Sequence, residues 1–351
     1  MRKLIILVLV ATLAYCGYWF YGAHKIENGA RDMLAQARQE GWGDAQSVSL
    51  AGFPSRFDLT FDKPELKDQG GLWHWSAPFA QLFALGYEPN KVIAYLPSGQ
   101  SLQLGDQSYK LTQEDMRASL TVGYSTALPL ERAIAVISAP VLTPAGETAP
   151  ALSADQLRLA IERKDKAQGA LGGSAQAADL VMPAAAYRLG AEAKSLKLPG
   201  DLLERIDPKG ELPDTVTRVH FDALIGTREP IDQTALEAGM PGLMTVAISD
   251  LSLSWGGNDV SVEGNLTVDP SGYPDGTLTI RSASWRNWVG IAQSMGLIGK
   301  DQMKLVTGIG AMLAAKNPDG ALEVPLVFKD GQMSLGPVPL GPAPQLVAQR
   351  Q

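Results

Sequence analysis

The chain alternates polar and apolar residues over most of its length, and that period-two pattern predicts strands. Phe57, Leu59 and Phe61 share one face of a short segment, with Arg56, Asp58, Thr60 and Asp62 on the other. Further strands are predicted over 116–122, 133–137, 152–161, 215–225, 246–255 and 260–268. Gly256-Gly257-Asn258-Asp259 supplies a hairpin turn between the last two. Val246 and Ile248 lie in one phase and Leu251, Leu253 and Trp255 in the other, which predicts a bulge at Ser249-Asp250.

Period 3.6 surfaces less often. Ile26, Ala30, Met33, Leu34 and Ala37 recur at helical spacing, and Gly41-Trp42-Gly43 ends the run. Short helical turns are expected at 201–206 and 232–239. A helix pair is expected at 284–295 and 301–315, followed by a hairpin closing at Asp330-Gly331. From residue 337 a proline-rich tail should be extended. Trp73 and Trp75 alternate, whereas Phe79, Phe83 and Tyr87 are spaced like one helical face. A strand handing over to a helix within a core is the simpler account of that stretch. A hydrophobic wall for a lipid tail is the functional one.

The first residues set the compartment. Arg2 and Lys3 precede the uncharged run LIILVLVATLAYCGYWFYGA over 4–23, long enough as a helix to span about 30 Å of bilayer. Positive charge before the run favours a cytoplasmic N-terminus, and Tyr15, Tyr18, Trp19, Phe20 and Tyr21 crowd its far end, where aromatic rings favour the interface. A cleaved signal peptide is the alternative, but bulky aromatics stand where small residues are wanted. Cys16 is the single cysteine, and Tyr15 before it argues against a lipidation site. The remainder then carries no thiol and no disulfide.

Composition narrows the partners. Apolar residues make up 45% and charged residues 19%, with a net charge of −7. That suits a folded chain and disfavours nucleic acid, since no basic stripe is present to neutralise phosphates. No GxSxG, HExxH or GxxxxGK[ST] motif occurs. His24, His74 and His220 are too scattered in sequence to suggest a metal site, so neither cofactor nor metal is expected. Asp269 to Gly276 holds two carboxylates at a spacing that fits a β-turn better than a calcium loop. The stretch 167–178 is rich in Ala, Gly and Ser and reads as a loop or a possible subdivision.

AGFPSRFDLTFD opens with a corner. Gly52 tolerates backbone angles closed to other residues, Pro54 restrains Phe53, and Arg56 can pair with Asp58 along the strand. Together with WSAPFAQLFALGYEPNKVIAYLP it resembles an uncharacterised family of exported alphaproteobacterial proteins. The matching positions are Gly52, Phe53, Pro54, Arg56, Asp58, Trp75, Ala77, Pro78, Phe79 and Gln81, with Tyr87, Pro89, Asn90 and Pro97 beyond. That resemblance implies an envelope protein and no known catalytic residue. The segments NLTVD, GTLTI and PLVFKDGQMSLGPVPLGPAP more loosely resemble AsmA-like envelope proteins, which implies an anchored, curved sheet, an apolar trough and lipid traffic.

These readings combine into a mainly β (α+β) chain. A transmembrane helix at 1–23 is followed by a helical stalk at 24–43, a long, curved antiparallel β region at 44–340 with a helix pair near its C-terminus, and a tail at 341–351. The expected role is non-enzymatic: an inner-membrane protein of the periplasm that binds or conveys lipid, with Phe57, Leu59, Phe61 and Phe83 as the candidate apolar wall. A scaffold for an envelope protein partner is the alternative, and an exported hydrolase the third reading.

Overall fold

The structure is a computed structural model, and it describes residues 1–346 apart from 69, 149, 165–181, 211, 239–240, 297–298 and 337. The Ala/Gly/Ser-rich stretch at 167–178 therefore lies outside the described residues. Antiparallel sheet dominates, open rather than closed into a barrel, at 49% strand and 23% helix. Two compact units divide the chain: Met1–Val122 with Ala135–Pro150, and Gly123–Ile134 with Ala151–Gln351.

The first unit begins with α1 (Arg2–Glu40), a single unbroken helix. Gly41 caps it in the left-handed region at φ 77° and donates its N–H to the Ala37 carbonyl. The strands that follow are β1 (Gly43–Asp44), β2 (Ser47–Ala51), β3 (Arg56–Asp62), β4 (Glu65–Lys67), β5 (Trp73–Ser76), β6 (Phe79–Leu85), β7 (Glu88–Tyr95), β8 (Gln100–Leu104), β9 (Gln107–Thr112), β10 (Asp115–Val122), β11 (Leu130–Ser138) and β12 (Val141–Pro144). All but β11, whose residues 130–134 belong to the second unit, pair in two antiparallel series, β2-β3-β6-β7-β10 and β1-β4-β5-β8-β9-β12. Ala30 and Leu34 of α1 pack on Ala45, Val48 and Leu59 to form the main core of this unit.

The helix expected after Trp75 is absent: 79–85 is strand β6, paired with β3 on one side and β7 on the other. A spacing of four residues is even, so Phe79 and Phe83 share a strand face as readily as a helix face. Pairing on both edges decides for the strand.

The second unit is a nearest-neighbour meander. It runs β13 (Leu152–Ser153), β14 (Gln156–Lys164), β15 (Ala185–Lys197), α2 (Gly200–Ile206), β16 (Thr215–Thr227), α3 (Gln233–Ala238), β17 (Leu243–Trp255), β18 (Asn258–Val268), β19 (Pro274–Ser282), α4 (Trp285–Ser294), α5 (Lys300–Ala314), β20 (Leu322–Lys329), β21 (Gln332–Leu335) and β22 (Val338–Pro342). Gly256 and Gly257, at φ 60° and 75°, make the expected tight turn, and Asp330 and Gly331, at φ 52° and 69°, make the closing one. The register breaks between Ile248 and Leu251, so a bulge at Ser249-Asp250 brings Val246, Ile248, Leu251 and Leu253 onto one face. Asp269 closes its own turn by accepting from the Tyr273 N–H at 2.9 Å. Helices α2 and α4 cover one end of the apolar face, where Ile291 and Trp288 meet Val216, Val219 and Trp255.

Candidate functional site

The corner before β3 is a clasp on α1. Gly52 sits at φ 105°, where a Cβ would lie 2.8 Å from the Arg56 carbonyl oxygen, so only glycine fits. The chain doubles back through a cis Phe53–Pro54 bond, and the Arg56 N–H returns to the Gly52 carbonyl at 3.0 Å. This aims Phe57 at the helix, where its ring stacks on Trp19 with centroids 5.7 Å apart. Phe53 meets Trp19 edge-on at 5.2 Å and stacks on Phe20 at 5.5 Å. Trp19 Nε1 donates to the Arg56 carbonyl at 2.8 Å, and Tyr18 Oη donates to the Gly86 carbonyl at 2.9 Å. Gly86 in turn donates to the Ser55 carbonyl at 2.8 Å, tying the β6–β7 turn to the same place. Arg56 holds Asp58 at 2.8 Å.

The register separates the residues expected to form one wall. Phe57 and Leu59 are 3% and 7% exposed and lie under α1, with Phe61 beside them. Phe83 stands opposite Asp58 and so faces the other side of the sheet. Phe79 joins it there, in ring contact with Tyr95 at 6.1 Å. Trp75 donates its indole N–H to Gln100 Oε1 at 2.8 Å, and Gln100 is wholly buried, with its amide donating to the Pro97 carbonyl at 3.2 Å. Gln113 donates to that same carbonyl at 3.0 Å. Buried amides of this kind carry no periodic signal, and the sequence did not single them out. Pro78 accepts the Lys63 N–H at 3.0 Å. Beside α1, Met33, Leu34, Ala37, Phe61, Trp75 and Leu82 border an apolar hollow of about 220 Å³, smaller than the roughly 300–1,000 Å³ of ordinary small-molecule sites.

A longer apolar surface lies in the second unit. Leu159, Ala191, Phe221, Leu251, Val262, Ile280 and Val324 stand in direct register across the seven strands β14 to β20. None of the seven is buried; Leu159 is 59% and Leu251 36% exposed. The next row, Ile161, Leu189, Ala223, Ile248, Gly264, Leu278 and Leu326, is likewise free of polar side chains. Each strand announced its own alternation, but only pairing lines the seven up.

The opposite face is ionic. Arg188 bridges to Asp222, with its Nε 2.8 Å from Oδ1, and Arg218 Nε lies 2.8 Å from Glu192. The Arg188 hydrogen bonds hold Asp222 below the usual carboxylate range, and Arg218 does the same to Glu192. Both acids are thus ionised ion-pair partners, not carboxyls tuned to move protons near neutral pH. A charged hollow of about 290 Å³ lies over Ala160 and Gly190, and the residues lining it include no Ser, Thr or Cys nucleophile. Among the described residues no three His, Cys, Asp or Glu side chains converge as metal ligands.

A family model described as an uncharacterized protein conserved in bacteria (DUF2125) matches residues 19–344. The chain belongs to this bacterial family. The family's match begins at Trp19, the helix residue held by the corner, and covers most of both units. No curated protein and no solved structure matches the chain.

Proposed function

We propose that this chain is an envelope protein held by α1 in the inner membrane, its N-terminus in the cytoplasm and its sheets in the periplasm. Its second unit holds or conveys lipid acyl chains along its apolar face. The observation that carries this reading is the seven-residue row from Leu159 to Val324, apolar throughout and nowhere buried. An apolar sheet face must be covered by helices, by another sheet or by a ligand. Six strand spacings of about 4.8 Å make the row about 29 Å long, comparable with the roughly 30 Å hydrocarbon core of a bilayer. The helix supplies the anchor: its 39 residues include an 18-residue stretch long and apolar enough to cross a membrane, and Arg2 and Lys3 stand at its start.

The test is native mass spectrometry with lipid extraction on the full chain purified from a two-membrane bacterium. A near-stoichiometric acyl species, lost in a folded Leu159→Glu, Leu251→Glu double variant, is expected. A clean apo mass from folded protein would overturn lipid holding and leave a partner-binding scaffold.

A further inference from the structure

We infer that the two loops gripping α1 dip into the membrane surface, so that the first unit is seated on the bilayer as well as tethered to it. The inference rests on the reading of α1 as a membrane span. The clasp grips Tyr18, Trp19 and Phe20, which lie inside the apolar run and not after it. Charge resumes only at Lys25. The helix left free of the corner, residues 4–17, measures about 21 Å, roughly 9 Å short of a hydrocarbon core of about 30 Å. Pulling residues 18–23 out into water would leave the span too short. Keeping them at membrane depth carries the corner down with them. The β6–β7 turn lies at the same level: Tyr18 holds its Gly86 carbonyl, and a Cβ at Gly86 would lie 3.5 Å from Tyr15 Oη.

The side chains at these loops suit that depth. Phe53 is 50% exposed on the corner and Tyr87 70% on the β6–β7 turn, while Phe20, stacked on Phe53, is 62% and Tyr21 on the helix 67% exposed. A soluble surface gains nothing from exposed rings on the loops and on the helix they grip, whereas the interface favours aromatic rings. The shortfall of about 9 Å falls within the roughly 5–10 Å that interfacial elements penetrate. Arg56, with its side chain 55% exposed, can reach lipid phosphate from this level. Lys25, 5.9 Å from the Tyr21 ring centroid, marks the next basic position up the helix. The occupant of the patch is therefore the headgroup–acyl boundary of the bilayer that α1 crosses.

The experiment uses the full chain with Cys16→Ser, reconstituted in vesicles of phosphatidylethanolamine and phosphatidylglycerol. Spin labels are placed at Tyr87→Cys, Phe53→Cys, Leu9→Cys and Leu72→Cys, and depth is read from collision with oxygen against a water-soluble nickel complex. Leu72 follows β4, which is bonded to Trp42 just past the end of α1, itself about 32 Å along the helix from Trp19, and should report water. Labels at Tyr87 and Phe53 reporting the interface, with Leu9 in the core, support the seating. Tyr87 and Phe53 reading water while Leu9 reads hydrocarbon would overturn it and leave the anchor standing. Leu9 reading water would overturn both.

Discussion

The indole N–H of Trp19 donates a 2.8 Å hydrogen bond to the carbonyl oxygen of Arg56, while its ring stacks on Phe57. One side chain thus joins the long helix to the first corner of the sheet by a polar and an apolar contact at once. Trp19 is 6% exposed, so both contacts are sheltered from water.

Trp19→Ala should lower the stability of the detergent-solubilised chain by about 3–5 kcal/mol, the usual loss for a buried large aromatic. Trp19→Phe keeps a ring in the stack and leaves one carbonyl without its donor, which costs about 1 kcal/mol. Denaturant midpoints should rank the wild type above the Phe variant and the Phe variant above Ala. Equal midpoints for all three would mean that the clasp contributes nothing to folding.

Gly264→Ala should fail where Gly257→Ala is tolerated. Gly264 sits at φ 142°, and a Cβ there would come 2.3 Å from the Thr277 carbonyl oxygen on the paired strand. Backbone strain of about 1–3 kcal/mol adds to overpacking of a similar size. At Gly257 the turn also has positive φ, but no atom lies within 4 Å of the new Cβ, leaving strain alone. Soluble yield and thermal midpoint distinguish the two.

Removing Ser249 should leave a folded protein, because deleting the extra residue of the bulge restores strict alternation. Ile248 and Leu251 then stay on the apolar face with Asp250 between them on the ionic face. Removing Ser252 should abolish soluble expression, since it turns Leu253 and Trp255 to the ionic face. Circular dichroism of the two deletions reads the difference. Equal behaviour of the two would refute the register argument.

Acid should weaken the second unit through Asp222. Its folded-state pKa is depressed by Arg188, so the stabilisation is present above the unfolded value, about 3.9, and is lost as pH falls through the folded one. Asp222→Asn should therefore flatten the stability profile below about pH 4. At neutral pH it should cost about 1 kcal/mol or less, as for a cross-strand ion pair. A profile unchanged by the substitution would exclude this pair as the source of acid sensitivity.

Much of the site was legible only in pieces. The aromatic end of α1 and the AGFP corner each stood out in sequence, but their contact spans 37 positions, and no local pattern reports it. Gln100 and Gln113 were invisible for a related reason: a buried amide is set by its partners, not by its neighbours in the chain.

Local chemistry was sufficient for the antiparallel strands, the hairpin turns at Gly256-Gly257 and Asp330-Gly331, the bulge at Ser249-Asp250 and the apolar N-terminal helix. Period, positive-φ residues and run length act over a few residues, so the amino-acid sequence by itself determined them. Only the tertiary structure decided which apolar faces are covered. Phe57 and Leu59 looked like open wall until α1 lay across them, and Phe83 looked like their neighbour until pairing with Asp58 turned it away. Leu159 and Val324 looked unrelated until six registers joined them in one row. Period two states that a strand has an apolar side. Hydrogen-bond register and long-range packing decide what that side meets.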